Sequence, residues 1–375
     1  MKKPKVIDLF CGAGGLALGL EKAGFKIAAS VEFDPKACKT YRRNIGDHLI
    51  EADIHKLSVA EVLKFAKMEP GECSLLAGGP PCQGFSVQRR GADVDPRNDL
   101  VLEYLRFVEG IMPQFFLMEN VSGLMSKRGT PFLDKILKRA AELGYKTYLT
   151  KVEAADFGVP QMRKRVILIG ERMTGAGQFF ELPEAPIKDG KYRTVKQAIG
   201  DLASPPADGS LHPTIPNHAR EARLSAMNLE RIQHVPQGGG REHIPEHLQL
   251  PCHRNNPGHR HMDVYGRLAW DKPSGTITAR FDSFTRGKFA HPIEHRSITL
   301  REGARLQTFP DTFIFEGSRE EVAKQIGNAV PPLLAEVLGT SVFAALCQNE
   351  KNPLLLANRT LECASWKVPF LNSQR

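Results

Sequence analysis

Five short apolar runs, separated by helical patterns, constrain what this chain can fold into more than any other feature. They are KVIDLF (residues 5–10), KIAASVE (26–32), CSLLAGG (73–79), FFLMEN (115–120) and RVILIG (165–170). Continuous runs of this length read as buried parallel strands. Between them, GGLALGLEKAG, DPKACKTYRRN, NDLVLEYLRFVEGIM and PFLDKILKRAAELG read as helices, the last stopped by Gly144. The alternation predicts an α/β chain with a doubly wound, Rossmann-like sheet over residues 1–172, binding ligands at the carboxyl ends of its strands.

After residue 172 the texture changes. Residues 173–293 are rich in Pro, Gly and His, and ten of the twelve histidines lie between 201 and 300. This stretch predicts a separate, smaller, loop-rich domain whose Arg and Lys suit groove contacts with a nucleic acid. Regular patterning resumes over 294–346. There ITLREGARLQTF looks helical and PPLLAEVLGTSVFAALC is an apolar helix opened by proline. Residues 347–375 carry no readable signal. The formal charge of +9 favours a polyanionic partner. Seven scattered cysteines argue against a disulfide framework and for a reducing cytosol, hence a cytoplasmic protein. No apolar run approaches the roughly 20 residues that span a bilayer, and the N-terminus makes a poor signal peptide. CHRNNPGHRH (252–261) offers one cysteine and no paired ligands, so no metal site is expected.

The first strand runs into a turn containing Gly12, Ala13, Gly14 and Gly15, which lets backbone approach a ligand at a helix N-terminus. Alone, this turn fits a nicotinamide site equally well. Glu32, followed by Phe33, ends the second strand, where a carboxylate accepts ribose hydroxyls. Asp53, followed by Ile54, sits where a third strand would end and is placed to accept from an adenine amino group. Together these residues describe an adenosine site. GGPPCQGFS (78–86) then sets Cys82 directly after two prolines and between glycines. A buried structural cysteine needs no such rigidity, whereas a nucleophile held at one point in a cleft does.

Six motifs occur in order: DLFCGAGG (8–15), GGPPCQGFS (78–86), MENV (118–121), QMRKR (161–165), RSITLREGARLQTFPD (296–311) and QIGNAVP (325–331). With them the chain resembles the cytosine-5 DNA methyltransferases of bacterial and phage type. The resemblance implies a cofactor, S-adenosylmethionine, with S-adenosylhomocysteine as product. It carries over Phe10, Glu32, Asp53, Pro80, Leu100, Asn328 and Val330 as cofactor contacts, and makes 173–293 a target recognition domain.

It further implies that Cys82 is the catalytic thiolate, adding to carbon 6 of cytosine so that carbon 5 takes the methyl group. Glu119 would hold N3 and the exocyclic amine. Arg165 would reach the base near O2, and Arg163 the mobile loop or a phosphate. The target is flipped out of double-stranded DNA, under a loop (83–98) whose Ser86, Arg89, Arg90 and Arg97 contact the backbone. Thr276, Thr278 and Arg280 are the expected groove contacts. The protein would be a monomer, with a restriction endonuclease of the same sequence specificity as a partner. Two other readings are a tRNA methyltransferase on the same fold and a catalytically silent DNA-binding homologue; intact Cys82, Glu119 and Arg165 speak against the latter. A nicotinamide dehydrogenase leaves the proline–cysteine turn unexplained.

Overall fold

A computed structural model of the chain describes residues 3–81, 99–127, 129–173, 180–221, 224–254 and 263–349. Its first part is built on β1 (Lys5–Leu9), β2 (Lys26–Glu32), β3 (Leu49–Glu51), β4 (Leu75–Gly78), β5 (Phe115–Val121), β6 (Tyr145–Glu153) and β7 (Lys164–Arg172). These form one sheet of order β3-β2-β1-β4-β5-β7-β6. Strands β1 to β5 run parallel, and β7 runs antiparallel to both β5 and β6.

The antiparallel β7 departs from the all-parallel reading of the sequence. Between β6 and β7 lie only residues 154–163, too few for the helical crossover that parallel strands require. Strand β6 itself escaped the sequence reading. It lies at the sheet edge and most of its residues are half-buried, so no apolar run marks it.

Helices α1 (Gly15–Lys22), α2 (Pro35–Asn44), α3 (Val59–Ala66), α4 (Asp99–Ile111) and α5 (Thr130–Glu142) cover the two faces. Leu16, Ala17 and Leu20 of α1 and Tyr41 of α2 bury against one face. Val62 and Leu63 of α3, Tyr104, Phe107 and Val108 of α4, and Ile136 of α5 bury against the other. Each such large apolar side chain contributes about 1.5–3 kcal/mol on leaving water. Local signals agree with this packing: Asp34 accepts the Lys36 and Ala37 amides ahead of Pro35 at the start of α2. Ser58 and Glu61 form a capping box on α3.

The second part contains α6 (Val195–Ile199), α7 (Ala226–His234), β8 (Gly266–Arg267), β9 (Lys288–Ala290), α8 (Leu300–Leu306), α9 (Arg319–Asn328) and α10 (Pro332–Asn349). The segment 294–346 divides in its packing. Ile298, Ala304, Leu306, Val322 and Ile326 share a core with Val195, Ile199, Ile277, Phe281 and Phe289. Only from Val330 onward does the chain rejoin the core of the sheet, where Leu334, Leu338 and Val342 of α10 pack with α1. The helical stretch Arg319–Gln348 has the length and apolarity of a membrane span. Its burial against α1 accounts for that composition as a core helix.

Regular secondary structure is sparse in this part, and buried arginines replace it as cross-braces. Arg267 donates to the carbonyls of Ile232, Val235, His291 and Glu294. Arg301 donates to those of Pro216, Pro310 and Phe313, and Arg231 to that of Leu248. Of the arginines in 173–293, a stretch whose Arg and Lys suit groove contacts in general, Arg231, Arg241 and Arg267 are buried.

A buried ion pair in this core joins Arg296 to Glu302 at 2.7 and 2.8 Å, with both side chains almost wholly buried. Glu302 also accepts the Thr299 amide in the capping box of α8. Burial opposes the carboxylate, but the Arg296 guanidinium outweighs it and brings the pKa from the usual 4.5 down to about 2. A depressed carboxylate stabilises the fold above its unfolded pKa and loses that contribution as the pH falls through the folded one. Glu302→Gln is therefore expected to cost about 3–5 kcal/mol at pH 7 in urea unfolding. The gap from the unsubstituted protein should narrow steadily as the pH is lowered from about 4.5 towards 2.

Candidate active site

The strand order reverses between β1 and β4, the point at which a doubly wound sheet binds its ligand at the carboxyl ends of the parallel strands. Three segments with unusual backbone or polar content meet at it. Phe10, just past β1, adopts φ 58°, a left-handed conformation that a bulky residue rarely takes outside functional sites. Gly12 follows at φ 55°, and a Cβ there would meet nothing within 4 Å, so open space faces its backbone.

The Gly12 amide donates to Glu32 at 2.9 Å, and the amides of Phe33 and Asp34 donate to the same carboxylate at 3.0 and 2.9 Å. These donors orient Glu32 at the end of β2. Burial raises its pKa, offset in part by the three amides. Phe33, beside it, leaves 65% of its surface exposed among the described residues. Asp53 accepts the His55 amide and caps a short 3-10 turn in which Ile54 is buried. Leu100 and Phe10 each pack, partly buried, against the core on one face of the sheet. Ala13 is buried, and Gly14 is the cap residue of α1. The atoms nearest Gly15 are the Val330 carbonyl, the Phe309 ring and the Ala329 Cβ. The last motif thus closes onto the first, with Asn328 exposed at the end of α9.

Asp8 was not anticipated from the sequence as a site residue. Its side chain is fully buried, and among the described residues neither oxygen has a hydrogen-bond partner. Burial, and then the nearby Glu32 charge, push its pKa well above the ordinary carboxylate range. The available signal was a single charge inside the apolar strand KVIDL.

Two strands away, Glu119 near the end of β5 pairs with Arg165 at 2.8 Å. The register explains the meeting. Glu119 lies opposite Ile167 on β7, so Arg165, two residues earlier, is its diagonal neighbour on the same face. Both side chains are largely buried, at 11% and 13% exposure, which strengthens the interaction relative to a surface pair. Asn120, on the opposite face, donates to the Pro80 carbonyl at 3.1 Å and accepts the Val121 amide at 2.8 Å. It thereby anchors the two prolines that lead into residue 82. Cys82, Ser86, Arg89, Arg90 and Arg97 lie outside the described residues.

Arg163 departs from its expected place at the loop or a phosphate. It is 1% exposed, and its guanidinium donates to the carbonyls of Ile277, Gly327 and Ala329. Residue 163 precedes β7, so its side chain is not held to the face that Arg165 occupies. The expected groove residues are also engaged within the protein. Thr276 donates to the Met162 carbonyl at 2.8 Å, and the Thr278 backbone packs against α9 at Gly327. Arg280 pairs with Asp282 and Glu320. Among the described residues no group of three His, Cys, Asp or Glu is placed to hold a metal ion.

The family model described as C-5 cytosine-specific DNA methylase matches residues 4–344. The Type II methyltransferase M1.HphI of Haemophilus parahaemolyticus is 38% identical over 342 residues, covering 90% of this chain and 86% of that one. The Type II methylase M.HgiDII of Herpetosiphon aurantiacus is 35% identical over 341 residues, covering 90% and 94%. A solved structure from E. coli, described as a DNA modification methyltransferase encoded within a prophage, superposes with a TM-score of 0.64 at 26% identity, over 92% of this chain and 99% of that one. The Entamoeba histolytica methyltransferase EhMeth superposes with a TM-score of 0.64 at 16% identity, a likeness of fold, over 92% and 99%.

Asn120→Ala removes the side-chain donor to the buried Pro80 carbonyl and the side-chain acceptor of the Val121 amide. The expected cost is about 1–3 kcal/mol in denaturant unfolding. An unchanged midpoint would show that the turn is held by other contacts.

Proposed function

The chain belongs to the C-5 cytosine-specific DNA methylase family and is a DNA cytosine-5 methyltransferase, and we propose that it draws its methyl group from S-adenosylmethionine and works through a covalent adduct between Cys82 and a flipped-out cytosine. The observation that carries this reading is the Glu119–Arg165 pair, set in the crevice next to the proline turn that leads into Cys82.

The crevice fits an adenosine-bearing cofactor. The open face of Gly12 and the left-handed Phe10 leave backbone available to its amino-acid end. The amide-oriented Glu32 suits a ribose, and the exposed Phe33 with Asp53 suits an adenine. Leu100, Pro80, Asn328 and Val330 complete the set of contacts. Bound there, S-adenosylmethionine supplies an electrophilic methyl group on a sulfonium. The protein's part is to make carbon 5 of cytosine nucleophilic. Addition of the Cys82 thiolate to carbon 6 forms a carbon–sulfur bond and leaves an enamine whose carbon 5 attacks the methyl. Loss of the carbon 5 proton then restores the ring and expels the thiolate.

Glu119 holds N3 and the exocyclic amine as carbon 6 is attacked, and Arg165 fixes the orientation of Glu119 while reaching towards O2. Neither ring carbon is accessible within a stacked duplex, so the base must leave the helix at a cost of a few kcal/mol. The duplex is met by the second part of the chain, residues 173–293, acting as a target recognition domain, and by the segment 83–98. The similarity to Type II methyltransferases supports a restriction–modification setting in a bacterial cytoplasm, with an endonuclease of the same specificity and a monomeric methyltransferase.

Bisulfite sequencing of DNA from cells expressing the protein should reveal 5-methylcytosine at one short sequence. Its absence, with cofactor still bound, would overturn the reading. A duplex carrying 5-fluorocytosine at that position should trap a covalent complex that Cys82→Ser abolishes without weakening S-adenosylhomocysteine binding. Glu119→Gln should slow methyl transfer by about 10²–10⁴. Glu32→Ala should weaken S-adenosylhomocysteine binding, measured by calorimetry, by about tenfold or more.

A further inference from the structure

Residues 160–163, just before β7, are zipped to residues 274–277. The Ser274 amide donates to the Pro160 carbonyl, the Met162 amide to the Ser274 carbonyl, and the Ile277 amide to the Gln161 side chain. Thr276 closes the row through the Met162 carbonyl. The end of α9 is pressed onto the same backbone: a Cβ at Gly327 would stand 2.2–2.4 Å from atoms of Thr278 and Ala279. Three segments therefore converge. One carries Arg165, one is the stretch read as facing DNA, and one holds Asn328 and Val330 at the cofactor crevice.

Arg163 is the side chain that spans them. It donates to Ile277 at 3.0 Å on one side, and to Gly327 at 3.0 Å and Ala329 at 3.1 Å on the other. The two acceptors on the second side flank Asn328 directly. A guanidinium is a rigid planar fork, so it fixes the separation of the groups it binds. Among the described residues its Nε has no partner. If either segment moved away alone, more of a buried charge would lose its acceptors, which costs more than a neutral bond. The two segments are constrained to shift together.

We propose that Arg163 is a positioning residue that couples engagement of DNA by residues 173–293, which meet the segment before β7 through residues 274–277, to engagement of the cofactor by Asn328–Val330. The inference rests on the reading of those two segments given above. Coupling of this kind is reciprocal: whatever factor the duplex imposes on cofactor affinity, the cofactor imposes on duplex affinity.

The test measures S-adenosylhomocysteine affinity by calorimetry, with and without a saturating duplex bearing the sequence identified by bisulfite sequencing, and duplex affinity with and without S-adenosylhomocysteine. The unsubstituted protein should show a shift of about 5–150-fold, equal in both directions. Arg163→Met should reduce that factor to about one, and Arg163→Lys, which keeps the charge but not the fork, to an intermediate value. The lysine variant carries the test if the methionine variant does not fold. A role confined to stability would lower the unfolding midpoint and weaken both binary affinities while leaving the coupling factor intact, and that result overturns the proposal. A factor of one in the unsubstituted protein, with both ligands bound, also overturns it. Failure of the unsubstituted protein to bind either ligand would instead overturn the functional reading beneath it.

Discussion

The reversal of strand order between β1 and β4 is the constraint on which the site depends. From that point α1 leaves towards one face of the sheet and α4 packs on the other, which is the arrangement that leaves the carboxyl ends of β1 and β4 available to a ligand. The Phe10–Gly15 turn, Glu32 and the Gly79–Pro81 segment are carried there by strands that are largely apolar and buried, Asp8 of β1 and Ser30 of β2 being the polar exceptions. Their positions follow from where the strands end, and the strands end where the apolar runs stop.

The antiparallel β7 extends the same logic. Active-site residues of a parallel sheet come from strand ends, because only carboxyl ends face the crevice. A strand entered from the opposite direction brings its beginning there instead. Arg165, second in β7, consequently meets Glu119, fifth in β5, and the diagonal register of an antiparallel pair aligns their side chains. A parallel β7 would carry the same arginine to the far side of the sheet. The hairpin with β6 is thus a condition of the Glu119–Arg165 pair as well as an edge to the fold.

How legible this was differs by element, for physical reasons. The strands β1, β2, β4 and β5 and the helices α1, α2, α4 and α5 announce themselves because both sheet faces are covered, which forces continuous apolar runs. Strand β6, at the edge, is half-buried and carries no such run. Glu32 and Glu119 were readable as charges at strand ends. Arg163 was not placed correctly, because spacing along an extended segment does not say where the ladder begins. Asp8 was missed because a buried acid without a partner leaves no pattern beyond its own presence.

The arginines carry the wider point. A chain of net charge +9 that acts on DNA invites every cation to be assigned to phosphate. In the second part of this protein, however, Arg231, Arg267, Arg296 and Arg301 are buried on carbonyls or a carboxylate. A region with so few strands has many backbone carbonyls and few amides positioned to meet them, and each unpaired carbonyl in a dry core is costly. A guanidinium, with five donors and no acceptor, satisfies several at once. The excess of arginine therefore serves the fold as well as the substrate. The cations that remain for DNA are fewer than composition implies, and they are concentrated outside the cores that these cross-braces close.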